Sequence, residues 1–142
     1  MSVPDWIAKC DNLSLLQQGL ENAKAHQNQE VIHVIGKRIE FIKENSPIEI
    51  AFRKMLQKYE ELLSLKNGKA TRATRLRPKY HKDGAVVCIE YLVKLNNRTS
   101  GFNLLVDNKL ANLTCEAIVI ENKEMFSEEA VRMSQKRLSR IT

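Results

Sequence analysis

The chain has 142 residues, with 23 basic and 17 acidic side chains and a formal charge of +6. Apolar residues make up 43% and charged residues 28%, which excludes a disordered tract and fits one domain, residues 1–142, with a real core. No apolar run approaches the ~20 residues that cross a bilayer, and the start MSVPDWIAKCDN has Asp5 where a signal would be basic, then apolar. A cytoplasmic protein with no membrane partner is expected.

Five Gly and three Pro are too few for many short strands and hairpins, so the composition predicts an all-α fold of helical hairpins. Cys10, Cys88 and Cys115 are widely spaced with no CxxC pair, and AVVCIEYLV and LTCEAIVI surround the last two with apolar residues. Those two thiols are expected to be small, inert core groups.

In chain order, Trp6 and Ile7 are expected to anchor a short N-terminal turn or helix, with the lone Trp as a core plug. Leu13, Leu16, Leu20 and Ala23 fall at helical spacing through His26, with Leu15 broadening the stripe. Asn28 can cap a second helix over 29–44, whose apolar face is Val31, Ile32, Val34, Ile35, Ile39 and Ile42. Gly36 inside it costs about 1 kcal/mol against Ala, and a close approach of the neighbouring helix would explain it. The two segments predict an αα-hairpin.

ENSPIEI is the cleanest local signal. Ser46 as N-cap, Pro47 at the first helical position and Glu49 three after the cap form a capping box. The long central helix it opens, 47–66, buries Ile48, Phe52, Met55, Leu56, Tyr59, Leu62 and Leu63 and turns Glu60 and Glu61 to water. Asn67-Gly68 is its left-handed stop. Ala85 to Leu95 and CEAIVI are apolar and β-branched; helix is favoured by the scarcity of turn residues, with a strand as the alternative. Thr99 or Ser100 can cap 101–110, Asn112 or Thr114 a helix through Ile120, and Ser127 the last helix.

Lys69 to Lys82, KATRATRLRPKYHK, holds six Lys or Arg residues and no acid; the rest of the chain has 17 of each sign. The entire net charge therefore sits in one tenth of the length. Thr71 is expected to cap a short helix bearing Arg72, Arg75 and Lys79, with Leu76 and Tyr80 inward, and Pro78 to bend the chain from Arg77 to Lys82.

Three segments, LSLLQQGLENAKAHQNQEVIHVIGKRI, YEELLSLKNGKATRATRLR, and GFNLLVDNKLANLTCEAIVI with MFSEEAVRMSQKRL, resemble a group of small, uncharacterised bacterial helical proteins over nearly the full chain. The resemblance implies one bacterial all-α domain and brings no catalytic residue or activity. In that group the Arg-rich turn continues as a helix, whereas Pro78 interrupts it here.

An acid-free cluster of this kind is the electrostatic footprint of a polyanion site. Lys69, Arg72, Arg75, Arg77, Lys79 and Lys82 are expected to grip nucleic-acid phosphates, with Tyr80 and His81 stacking on a base. Six contacts would give a log–log salt slope of about 5. Lys136, Arg137 and Arg140 would extend the patch if folded near it. The plain alternative is a solvated basic surface paired with Glu60 and Glu61. A helix-turn-helix with Asp83-Gly84 as the turn would make residues 85–95 the reader, which are too apolar for it. No metal or cofactor is expected, since His26, His33 and His81 have no carboxylate or thiol at ligand spacing. No nucleophile has a placed base, so no enzyme is expected. The runner-up is a protein-interaction module, in which the 13–44 hairpin offers a groove to a partner or the central helix dimerises.

Overall fold

Residue Ser46 ends one helix and starts the next. Its backbone N–H closes the preceding helix on Ile42 O at 2.8 Å, and its hydroxyl accepts the Glu49 N–H at 3.3 Å. In a full capping box the Glu49 carboxylate would return to the Ser46 N–H. That donor is already used, so the carboxylate is released into the core. Half of the expected box is present, and the other half builds the interior.

A computed structural model describes residues 4–141. Among them the chain forms nine α-helices and no strand: α1 Trp6–Lys9, α2 Leu13–Ala25, α3 Gln29–Asn45, α4 Pro47–Asn67, α5 Leu76–Asp83, α6 Ala85–Val93, α7 Ser100–Asp107, α8 Cys115–Glu121 and α9 Glu128–Ser139. The all-α expectation holds, and both β-branched runs are helices. Local caps explain most boundaries: Asn12, Asn28, Thr99, Thr114 and Ser127 each accept a first-turn N–H, and Gly68 ends α4 at φ +68°. None of the described helices is long and apolar enough to cross a membrane.

Two apolar clusters fill the interior. The smaller joins α1 to the α2–α3 hairpin through Ile7, Leu13, Leu16, Ile35, Ile39 and Ile42. The larger surrounds α4 and α6 with Phe52, Met55, Leu56, Cys88, Ile89 and Val93 and takes in Leu105, Ile118, Val119 and Ala130. At about 25 cal/mol per Å² of apolar surface, such burial is the main force holding short helices that would be marginal alone.

Several local expectations are corrected. Trp6 is 46% exposed, so it is not a core plug, and Leu15 is 50% exposed, so it does not broaden the buried stripe. The close approach in the hairpin is at Gly19, where a Cβ would stand 3.3 Å from Ile35 Cδ1 and from the Trp6 ring; at Gly36 nothing lies within 4 Å. The Arg-bearing helix starts at Leu76 rather than Thr71, which places Pro78 in the first turn of α5. A first-turn residue has no intrahelical acceptor for its N–H, so Pro78 costs no hydrogen bond there and does not bend the chain.

Gly84 sets the corner between α5 and α6. Its φ is +85°, and a Cβ would stand 2.7 Å from Leu13 Cβ and 2.9 Å from Leu13 Cδ1. Gly84→Ala is therefore expected to cost about 2–4 kcal/mol in urea unfolding, from backbone strain and a core clash together. Gly36→Ala, in an open helical site, is expected to stabilise by up to about 1 kcal/mol. Equal effects of the two substitutions would contradict this account of the corner.

Candidate nucleic-acid interface

Two carboxylates on α4 position the basic segment. Glu49, Phe52, Leu56 and Glu60 are spaced by three and four residues, so both acids lie on or beside the core-facing stripe. Glu49 is 3% exposed. It accepts the Tyr80 O–H at 2.9 Å and the Ala85 N–H at 2.7 Å, fixing the end of α5 and the start of α6. Gly84, the N-cap of α6, offers no side chain, and Glu49 supplies that cap from across the core.

Glu60 was expected to face water; its side chain is only 11% exposed. One oxygen accepts the Ala73 N–H at 2.9 Å and the Arg77 Nε–H at 2.5 Å, while Arg77 Nη2 donates to the other. The bidentate Arg77 pairing, helped by Ala73, holds the Glu60 carboxyl below its ordinary value against the opposing effect of burial. One turn further along α4, Ser64 Oγ accepts the Thr71 N–H at 2.8 Å. Residues 71–73 are stapled to α4 and cannot extend α5 backwards.

This clamp sorts the basic residues. Arg77 is held by Glu60, so its guanidinium is turned toward the protein itself. Lys79 lies 3.3 Å from Asp83 and 4.5 Å from the centre of the Tyr91 ring. Tyr80 is 9% exposed, packs its ring 4.7 Å from Phe52 and hydrogen-bonds Glu49 and Arg53. Burial raises its pKa to about 12, outweighing the Arg53 hydrogen bond. It is a core residue, not a stacking platform, which corrects the expectation.

Lys69, Arg72, Arg75 and Lys82 are exposed. Among the described residues, no hydrogen bond or ion pair engages their side-chain nitrogens; Arg72 adds only a weaker, longer-range attraction to Glu60. Arg75, Lys79 and Lys82 follow one another at four and three residues, along one side of α5 and its start. Of the C-terminal basics, Arg137 is buried, 3.1 Å from Glu116, and also donates to Leu95 O. Burial raises the Glu116 carboxyl above its ordinary value, with Arg137 opposing. Lys136 and Arg140 are exposed.

The helix-turn-helix alternative finds no reading helix, because α6 buries Ala85, Cys88, Ile89 and Val93. Among the described residues no three His, Cys, Asp or Glu side chains group as metal ligands. The burial of Glu49 and Glu60 was the feature missed from the sequence, and their helical phase with Phe52 and Leu56 was its available signal. No protein-family model matches the chain, and no curated protein or solved structure matches it either.

Removing the clamp has a pH signature. A carboxylate whose folded pKa is depressed stabilises above its unfolded value, 4.5 for Glu60, and that contribution is lost as pH falls through the folded value. Glu60→Gln is expected to cost about 1 kcal/mol at neutral pH, a modest figure because Arg77 is partly solvated. The difference from the parent chain should shrink below pH 4.5, and the Ala73 amide should exchange faster. A pH-independent difference in chemical unfolding would argue against the clamp.

Proposed function

We propose that the protein binds nucleic-acid backbone with low sequence specificity, through Lys69, Arg72, Arg75 and Lys82 and without catalysis. The observation that carries this reading is the sorting of the basic segment by α4. The nearest acid, Glu60, is neutralised from within by Arg77, while Arg72 and Arg75 project from a segment stapled at Ala73. Their guanidinium forks match phosphate oxygens two at a time, and being held on a fixed segment reduces the entropy lost on contact. Arg77, Lys79 and Tyr80 act as support for this surface. A bacterial cytoplasm is part of the proposal, in keeping with free Cys10, Cys88 and Cys115.

With four contacts in place of six, the log–log salt slope should be about 3–4, depending on whether the polymer is single- or double-stranded. Fluorescence anisotropy with mixed-sequence DNA and RNA across a salt series measures it. Arg72→Glu with Arg75→Glu is expected to abolish binding with no change in Tm. Arg77→Gln should lower Tm but leave the slope unchanged. Retention of the double variant on a nucleic-acid column would overturn the proposal.

A second reading, a protein-interaction module, is favoured by one observation. Phe41, Val87 and Met125 are exposed and line a groove of about 800 Å³ among α3, α4 and α6. An apolar partner helix fits such a groove. Co-purification of a partner that survives nuclease treatment would support this reading over the first.

A further inference from the structure

On the inner side of the Arg72–Arg75 segment lies a cleft of about 480 Å³, open to solvent between α4, α6 and α7. Ligand sites of small molecules occupy ~300–1,000 Å³ and combine apolar walls with a few convergent polar groups. The floor consists of the buried side chains of Met55, Phe102 and Leu105, which belong to or adjoin the main core. Tyr59 and Leu92 form half-buried walls. One side is therefore preformed and apolar.

The other side is cationic. Arg72, Arg75 and Lys79 all border the cleft, and Thr74, Thr99 and Ser100 add hydroxyl or backbone donors. Glu116 is the one carboxylate in the lining, and its side chain is 3% exposed and paired with Arg137. Arg72 and Arg75 have no hydrogen-bond partner among the described residues, so the charge at the mouth is not balanced internally. An apolar chamber closed on one side by two guanidinium forks selects an amphiphilic anion over a cation or a neutral polar molecule.

We infer that this cleft binds a small organic anion: an aromatic or aliphatic body seated on Phe102 and Leu105, with its sulfonate, carboxylate or phosphate on Arg72 and Arg75. The inference goes beyond polymer binding and does not require it. It does share those two arginines, so a small anion seated there competes with phosphate-backbone contact.

The probe is 1-anilinonaphthalene-8-sulfonate, titrated into the full chain and read by fluorescence. One saturable site is expected. Gly101 lines the cleft, and a Cβ there would stand 3.6 Å from the Tyr59 ring, an ordinary contact, so a larger side chain is expected to take up cleft volume beside that ring. Gly101→Leu is expected to weaken the probe at least about tenfold, as is Arg72→Gln with Arg75→Gln, since each removes one half of the recognition. Thr74→Trp, at an exposed turn, is the second block should Gly101→Leu not fold, as judged by circular dichroism. Dodecanoate and adenosine monophosphate as competitors then distinguish an aliphatic carboxylate from a nucleotide source. A probe signal that survives both blocks lies elsewhere and overturns the site. Loss on blocking with full retention in the arginine variant overturns the anion assignment. Gly101→Leu leaves Arg72 and Arg75 in place, so undiminished polymer binding by that variant separates failure of this inference from failure of the nucleic-acid reading.

Discussion

The buried carboxylate of Glu49 is the constraint on which the arrangement of α4, α5 and α6 rests. A carboxylate taken from water must be met by donors, and here they are the Tyr80 hydroxyl and the Ala85 amide, with Arg53 3.9 Å away. Those donors come from two helices joined by Gly84, so satisfying one acid fixes the angle of a corner. α6 is then committed to the core by its apolar surface, and Tyr80 is committed with it. The basic segment between α4 and α5 runs back along α4, held there by Ser64 and Glu60, with Ala73 buried in the main core.

Glu60 uses the same chemistry nearer the surface. It holds Ala73 and Arg77 and thereby divides an apparently uniform run of cations into inward and outward sets. The inward set, Arg77 and Lys79, supports the fold through Glu60 and Asp83. The outward set, Lys69, Arg72, Arg75 and Lys82, is exposed and has no ion pair among the described residues. A third acid, Glu90, works similarly on α9, accepting both the N–H and the hydroxyl of Ser127. Burial disfavours its ionised form, yet Ser127 and Lys94 outweigh that and lower its pKa. Acids reaching across helix boundaries are thus a recurring device of this chain, suited to helices as short as α5 and α6, whose N-caps make no side-chain hydrogen bond of their own.

Of the outward cations, Arg72 and Arg75 border both solvent and an apolar cleft, which gives the proposed polymer surface and the proposed small-anion site the same two arginines. On these proposals one stapled segment would serve two kinds of oxyanion, and the two ligands would exclude one another at Arg72 and Arg75.

What the amino-acid sequence determined by itself is the set of local decisions. Hydrophobic period, Pro47 after Ser46, Gly68, and the Asn, Thr and Ser caps specify where most helices begin and end, since each depends on residues within a turn of one another. The concentration of charge in 69–82 was equally legible. Tertiary structure alone decided which of those charges are free, because Glu60 and Arg77 are 17 residues apart and Glu49 and Ala85 are 36 apart. It also decided that Thr71 would bond along α4 instead of capping a helix, and that Tyr80 would pack on Phe52. Those outcomes arise from long-range competition for a buried acceptor, which no local spacing rule contains.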